Sequence, residues 1–166
     1  MKHFKNFKTC VYCTAQTLAS LDETTLARDY AYLEKYVGID KVYLETYRDG
    51  TWVAIDHMKM IQNFFKEHGV EIAGGITTVT PPLKKDAKRQ RLFQTFCYSN
   101  ETMRTYLKKI VTYTAELSDE IILDDFFFTS CTCDDCLRER SNLSWAEFRS
   151  NKMIDVAENL VLKPAK

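Results

Sequence analysis

The chain has 166 residues, of which 45% are hydrophobic and 28% are charged, so it is long enough for one globular domain with a buried core. Its 23 basic and 23 acidic residues balance, which gives no net field that would favour nucleic acid or an anionic membrane as a partner. No apolar run approaches the roughly 20 residues of a membrane span, and the first residues lack the apolar core of a secretory signal. These features fit a cytoplasmic protein, or an exported one whose signal has been removed.

The first half of the chain alternates apolar strands with amphipathic helices. A strand is predicted over residues 9–15, and a helix follows that begins near Asp22 and ends at Gly38. A second strand, over residues 41–46, leads through a polar turn to a second helix, for which we expect Asp56 to be the N-cap. Each unit has the strand–helix form from which parallel sheets are built.

The second half repeats this pattern with one long interruption. A third strand is predicted over residues 70–76, followed by an irregular segment, 77–99, that either covers a substrate or is a solvated excursion. A helix capped near Asn100 comes next, and then a buried strand within residues 119–128. The last predicted helix begins with a Ser-x-x-Glu capping box at Ser144.

Four strand–helix units in strict alternation predict an α/β fold with a parallel sheet and right-handed crossovers. Two architectures fit this pattern, the N-terminal half of a (β/α)8 barrel and an open doubly wound sheet. The chain ends just after a helix, where a fifth strand would follow. We therefore favour a half-barrel and interpret residues 1–166 as a single α/β domain, or a partial barrel domain, that is truncated at its C-terminus.

Two adjacent carboxylates, Asp124 and Asp125, follow the apolar part of the fourth predicted strand. A charge at a buried strand end is costly unless it is paired or used, and barrel enzymes place catalytic groups at such ends. Neighbouring residues on a strand point to opposite faces, so at most one of the two can face a substrate. The alternative is that both accept hydrogen bonds from backbone amides of the next loop. We predict that one of them is catalytic.

A second polar group ends the second predicted strand. It contains a carboxylate, a phenol and a guanidinium, on Glu45, Tyr47 and Arg48. These side chains suit the binding of sugar hydroxyls and are predicted to contact substrate. Alternatively, Glu45 and Arg48 simply pair with each other.

Two adjacent glycines, Gly74 and Gly75, end the third predicted strand. They allow another group to approach the backbone closely, or backbone angles that other residues avoid. They do not form the G-x-G-x-x-G motif of a dinucleotide site, and the chain also lacks a P-loop, an H-E-x-x-H helix and a G-x-S-x-G elbow. Those enzyme classes are therefore set aside.

The cysteines are too sparse for a small disulfide scaffold. Three of them form a C-x-C-x-x-C loop after the fourth strand: Cys131, Cys133 and Cys136. This loop offers three soft ligands and predicts a structural zinc site; the alternatives are free thiols or one local disulfide. Cys10 and Cys13 point to opposite faces of a strand, so at most one of them could join, and we expect Cys97 to be a small buried hydrophobe.

Taken together, the Lys-Val-Tyr-Leu-Glu-Thr run, the Gly-Gly strand, and Ile-Leu-Asp-Asp-Phe-Phe-Phe followed by C-x-C-x-x-C resemble bacterial (β/α)8-barrel glycoside hydrolase-like proteins. The resemblance covers the whole chain, but only the N-terminal half of such a catalytic domain. It implies hydrolysis of O-glycosidic bonds in a glycan by a pair of carboxylates. No cofactor is expected to be required, and the structural zinc site at the cysteine loop is a separate expectation from the spacing of the thiols. Asp124 or Asp125 would be the strand-four acid or base, and Glu45 and Arg48 would contact the carbohydrate.

One departure from that family pattern affects the expected chemistry. Many retaining barrel glycosidases carry Asn-Glu at the end of strand four, whereas this chain has Asp-Asp, and their second carboxylate lies on a later strand. Two other functions therefore stay in view. The first is a non-catalytic half-barrel that binds carbohydrate or self-associates through its open sheet edge. The second is a metal-binding or redox protein that uses the Cys131–Cys136 loop.

Overall fold

The computed structural model describes residues 4–78, 96–124 and 127–166, which form one sheet with helices between its strands. The strands are β1 (Cys10–Cys13), β2 (Lys41–Arg48), β3 (Thr51–Trp52), β4 (Glu71–Thr77) and β5 (Ile121–Asp124). The helices are α1 (Ala15–Ser20), α2 (Glu23–Tyr36), α3 (Ile55–Glu67), α4 (Glu101–Ala115), α5 (Asp134–Arg140) and α6 (Trp145–Val156), and a π-helical segment, Ala157–Leu162, continues α6. This alternation confirms the predicted α/β fold class with a parallel sheet.

The main strands are parallel and lie side by side in the order in which they occur in the chain, β1-β2-β4-β5. The short β3 is antiparallel and pairs only with the end of β2. In the register, Leu44 of β2 lies beside Cys13 of β1 and Gly74 of β4, and Gly74 in turn lies beside Ile121 of β5. The carboxyl ends of the four parallel strands therefore meet at one edge of the sheet, where α/β proteins bind their ligands.

The two faces of the sheet differ in what covers them. The strand residues that pack against the helices are apolar and belong to two core clusters: Val42, Leu44, Ile72, Ile76, Ile121 and Leu123. The opposite face carries Tyr12, Glu45, Gly75 and Asp124, because side chains alternate along a strand. Asp124 thus points away from the helices.

A β-bulge interrupts β2 between Glu45 and Tyr47. The extra residue, Thr46, turns towards α4, where its hydroxyl lies 2.6 Å from that of Thr114. Tyr47 then also lies on the helix side and joins the core there. The bulge places two consecutive side chains on one face and shifts the alternation of every residue after it.

The third strand makes the close approach that its two glycines predict. A Cβ atom on Gly74 would lie 2.8 Å from Cγ2 of Thr114, so α4 can pack this closely only against glycine. Gly75 faces the other way, where a Cβ atom would lie 2.8 Å from the hydroxyl oxygen of Tyr12. The Gly-Gly pair therefore serves both faces of the sheet.

Most of the predicted helix ends are confirmed. Side chains of Asp22 and Asn100 cap the first turns of α2 and α4, and Ser144 forms the predicted capping box of α6 with Glu147. The predicted cap of α3 was wrong: its N-cap is Ala54, and Asp56 lies inside the first turn, where a carboxylate still favours the helix dipole.

Three short elements were not predicted, namely α1, β3 and α5. Each is shorter than the window in which hydrophobic periodicity can be recognised. Most of the predicted irregular segment, residues 79–95, lies outside the described residues. In the part of the chain that the structure describes, no helix is long and apolar enough to cross a membrane.

Candidate functional site

Glu45 is a fully buried carboxylate at the carboxyl end of β2. It accepts hydrogen bonds from the Tyr12 hydroxyl at 2.8 Å and from the backbone N–H of Ala15 at 2.7 Å. The Nε of Arg48 donates to both of its oxygens, at 3.0 and 2.8 Å. These donors offset the cost of burying the charge. Because both oxygens are already engaged, Glu45 is placed to hold its neighbours rather than to reach out to a ligand.

Arg48 connects this buried carboxylate to a second one. Its Nη2 donates to Oδ2 of Asp124 at 3.0 Å, while its Nε remains on Glu45. Burial alone would lower the pKa of the Arg48 guanidinium, but the hydrogen bonds and the charge of Glu45 outweigh burial and raise that pKa. Arg48 therefore stays positively charged. It lies between two carboxylates at the edge of the sheet where the parallel strands end.

Asp124 ends β5 and keeps the most exposed carboxylate of this group. Its side chain is 33% exposed, whereas that of Glu45 is fully buried. Its backbone is fixed by pairing with Thr77 of β4, whose hydroxyl also lies 3.5 Å from the Asp124 carbonyl oxygen. The result is a carboxylate with a fixed strand, a cationic partner and one side open to solvent. Such a group can accept or donate a proton, or bind hydroxyl groups.

Tyr12 of β1 completes the group and was not predicted from the sequence. Burial, followed by the nearby charge of Glu45, raises the pKa of its phenol, so Tyr12 stays a neutral hydrogen-bond donor. Its hydroxyl occupies the space that Gly75 leaves by having no side chain. The signal available in the sequence was the pair of glycines two strands away, but nothing in it names Tyr12 as the neighbour.

The structure brings together some of the predicted site residues and separates others. Glu45, Arg48 and Asp124 form one hydrogen-bonded group, which also realises the alternative that Glu45 and Arg48 pair with each other. Tyr47 does not join them: it is fully buried on the helix side, with its ring against Trp52. Asp125 lies outside the described residues, so its role stays a prediction.

A second cluster, hereafter the cysteine cluster, consists of four thiols whose Sγ atoms all lie within 4.8 Å of one another: Cys97, Cys131, Cys133 and Cys136. The Sγ of Cys97 is 3.6 Å from those of Cys133 and Cys136, and these two are 3.8 Å apart. Sulfur atoms at such separations are not joined by disulfides, which are about 2.05 Å long. The three predicted ligands therefore lie close together, and Cys97 lies with them as a fourth candidate ligand.

The cysteine cluster forms where two loops cross beside the strand ends. Cys133 is the N-cap residue of α5 and Cys136 lies in its first turn, so both thiols point to the same side. Hydrogen bonds from the thiols of Cys131 and Cys97 lower the pKa of Cys136, whereas hydrogen bonds with Cys131 and Cys136 raise the pKa of Cys97.

Cys97 corrects the sequence analysis. It is fully buried, as expected of a small hydrophobe, but its thiol belongs to the cluster. A single cysteine far upstream of the C-x-C-x-x-C loop carries no spacing signal, and only the fold brings it there. Cys10 and Cys13 remain apart from the cluster: Cys10 is exposed, and Cys13 packs in the core, where burial raises its pKa to about 11.

Comparison with known proteins identifies the family of this chain. A family model described as the catalytic domain of a probable glycosyl hydrolase matches residues 1–166. The uncharacterized protein SSO3021 of Saccharolobus solfataricus is 32% identical over 186 residues, which cover 98% of this chain and 31% of that protein. The chain therefore spans about a third of the length of this curated relative, which is archaeal rather than bacterial. The chain belongs to the family of probable glycosyl hydrolase catalytic domains.

Proposed function

We propose that this chain supplies one carboxylate of a glycoside hydrolase active site, and that Asp124 is that carboxylate. The observation that carries the proposal is the partly exposed Asp124 side chain, fixed by Arg48 at the carboxyl end of a parallel strand. Glycoside hydrolysis needs a carboxyl group that can give a proton to the leaving oxygen, and a second carboxylate that acts as nucleophile or base. Membership of the glycosyl hydrolase family supports this chemistry and a carbohydrate substrate.

The sheet supports a half-barrel as the setting of that site. Its parallel strands follow one another in chain order, and apolar residues of β2, β4 and β5 all face helices on the same side. A doubly wound sheet reverses its strand order and carries helices on both faces. In a (β/α)8 barrel the face of Glu45 and Asp124 is the interior, and the second catalytic carboxylate is contributed by a later strand.

Within this proposal, Glu45 has a different role from the substrate contact predicted from the sequence. Its oxygens are occupied by Tyr12, Ala15 and Arg48, so it acts through Arg48 as a positioning residue. Arg48 is itself 20% exposed, so it reaches the solvent-accessible side of the group. Asp125 is the competing candidate for the catalytic carboxylate, and the same experiment decides between the two.

The test is the turnover of Asp124→Asn and Asp125→Asn on a panel of glycans, measured with the protein as it occurs naturally. Loss of a general acid or base lowers kcat by about 10²–10⁴-fold, so we expect this loss for Asp124→Asn. Asp29→Asn, which changes an exposed carboxylate on α2, is the matched control and should keep full turnover. Wild-type turnover by Asp124→Asn would overturn the assignment. Glycan binding without turnover in the unmodified protein would instead favour a carbohydrate-binding role.

We also propose that the cysteine cluster binds a structural zinc ion. Four thiolates about 2.3 Å from zinc form a tetrahedron with edges of about 3.8 Å, and three of the Sγ separations in the cluster are 3.6, 3.6 and 3.8 Å. Zinc sites with four cysteine ligands leave no open position for a substrate or a water molecule. Such an ion would organise the loops and take no part in the hydrolysis.

Metal analysis of the reduced protein tests this second proposal. We expect one zinc ion per chain, and binding that Cys97→Ser weakens strongly because the fourth ligand is lost. Cys10→Ser, a thiol outside the cluster, is the matched control and should bind zinc normally. Reduced wild-type protein that takes up neither zinc nor cadmium would exclude the metal site.

A further inference from the structure

We propose that metal binding at the cysteine cluster fixes the carboxyl ends of β4 and β5, and through them the position of Asp124. This proposal rests on the zinc site proposed above and extends its effect to the edge of the sheet where Asp124 lies. It assigns the cluster a positioning function in a site whose side chains it does not touch. The reasons lie in how each loop of the cluster connects to a strand.

The first connection runs from the cluster to β4. The backbone N–H of Phe96 donates to the carbonyl oxygen of Thr78 at 2.9 Å, directly after β4 ends. Phe96 is fully buried in the helix-side core, and Cys97 is the next residue. Whatever holds the Cys97 thiol in place therefore also holds the end of β4.

The second connection runs from the cluster to β5. Cys131 is 3% exposed and follows Asp124 after a short segment that packs Phe127 into the helix-side core and buries Thr129. Asp124 in turn pairs with Thr77 at the end of β4. A ring is thus closed by contacts from β4 to Cys97, by the cluster from Cys97 to Cys131, by the chain itself from Cys131 back to Asp124, and by strand pairing from β5 to β4.

The strength of the link across the cluster depends on the metal. Thiols are weak hydrogen-bond donors and acceptors, so four reduced thiols alone join the two loops only weakly. A zinc ion replaces those contacts by four bonds to thiolates, and metal binding of this kind is directly coupled to folding. A neighbouring hydrogen bond between the same loops, from Nδ2 of Asn100 to Asp135, is long at 3.4 Å. Metal occupancy is therefore expected to decide how firmly the ring is closed.

The β1–β2 end of the same edge provides an internal reference. Glu45 is held there by Tyr12, Ala15 and Arg48, all of them protein groups. Its hydrogen bonds need no metal and should survive removal of zinc. The Arg48–Asp124 contact is where the metal-independent and metal-dependent parts of the edge meet.

Hydrogen exchange of the zinc-loaded and chelator-treated full chain, both reduced, tests the inference. On zinc removal we expect the amides of residues 96–99 and 121–124 to exchange about tenfold faster, as local opening becomes easier. The side chains of α2 and α3 pack in the other core cluster. The backbone amides of these helices should therefore keep their exchange rates. Zinc content measured on the same samples shows whether the metal site itself exists.

Two variants keep the test independent of the chelator. Cys133→Ser removes the most exposed ligand of the cluster and should reproduce the faster exchange at both strand ends, whereas Cys10→Ser should leave it unchanged. If zinc binds and is removed while residues 121–124 keep their exchange rate, the positioning role is wrong although the metal site is right. An equal rise in α2 and α3 would also overturn it, because it would show global rather than local loosening. Absence of any metal binding removes both proposals.

Discussion

The two ends of the strand-end edge that carries Glu45 and Asp124 are held by different chemistry. At the β1–β2 end, a fully buried carboxylate, Glu45, gathers a phenol, a backbone amide and a guanidinium around itself. At the β4–β5 end, the strands are joined through loops that meet in the cysteine cluster, where the side chains are thiols rather than a matched set of donors and acceptors.

This difference separates an arrangement that protein groups complete by themselves from one that, on our proposal, a zinc ion completes. Protein donors satisfy Glu45 as soon as the chain folds, and their geometry is fixed by the sheet register. Four thiols reach comparable rigidity only when a metal ion replaces their protons. The same edge should therefore respond to charge mutations on one side and to chelators or oxidants on the other.

The largest effect on stability is expected from removing the charge of Glu45 at the β1–β2 end. Glu45→Gln leaves Arg48 beside a neutral amide and leaves one acceptor oxygen for Tyr12, Ala15 and Arg48, so the free energy of unfolding should fall by about 3–5 kcal/mol. Urea denaturation measures this loss, which should be the same with and without zinc. Glu71→Gln, at an exposed pair with Lys8, is the matched control and should change stability little. A loss that depends on zinc would show that the two ends are not independent.

The next largest effect is expected at the cysteine cluster. Zinc at about 100-fold above its Kd should raise the free energy of unfolding of the reduced wild type by about 2.7 kcal/mol, because only the folded chain presents all four thiols. Denaturation with and without zinc measures this increment. Cys97→Ser should abolish it, and Glu45→Gln should retain it. An increment that persists in Cys97→Ser would mean that zinc binds elsewhere.

A smaller effect is expected from filling the space beside Tyr12. Gly75→Ala places a Cβ atom 2.8 Å from the Tyr12 hydroxyl and should cost about 1–3 kcal/mol of stability through overpacking. Tyr12→Phe removes the hydroxyl oxygen that the added Cβ atom would contact. The loss of stability in the double variant should therefore be smaller than the sum of the two single losses. Strictly additive losses in this double-mutant cycle would show that the two residues do not contact each other.

The smallest effect concerns a charge pair on the cysteine side of the molecule. The hydrogen bond from Arg104 lowers the pKa of the Asp155 carboxyl below its unfolded value of about 3.9. The stability that this pair contributes is therefore present above the unfolded pKa and is lost as the pH falls through the lowered one. In Arg104→Gln, the free energy of unfolding should fall less steeply as the pH is lowered through the acid range, as measured by urea denaturation at a series of pH values. Arg28→Gln, at an exposed pair, should keep the wild-type pH dependence. Identical pH dependence in Arg104→Gln and the wild type would contradict this.

Hydrophobic periodicity and helix caps were sufficient to predict the parallel sheet and the starts of α2, α4 and α6. The local chemistry of a cap is readable because it lies within four residues. Strand-end carboxylates were readable for the same reason, since Asp124 directly follows its apolar strand.

Contacts between distant strands and loops were not readable in this way. Tyr12 joins Glu45 through the pairing of β1 with β2, and Cys97 joins the cluster through the crossing of two loops. Tyr47 was placed with the substrate contacts because it lies beside Glu45 and Arg48 at the strand end. The β-bulge moves it to the core, and the sequence carries no mark of the bulge.

That bulge also determines to which face of the sheet the residues after it point at the candidate site. In an unbroken strand, Glu45 and Arg48 are an odd number of residues apart and would point to opposite faces, so they could not pair. Thr46 supplies the additional residue that returns Arg48 to the face of Glu45 and Asp124. Straightening the bulge with Thr46 in place would keep every charged side chain in the sequence and still separate Glu45 from Arg48. Deleting Thr46 would instead leave the two residues two positions apart, so a regular strand would again place both on one face.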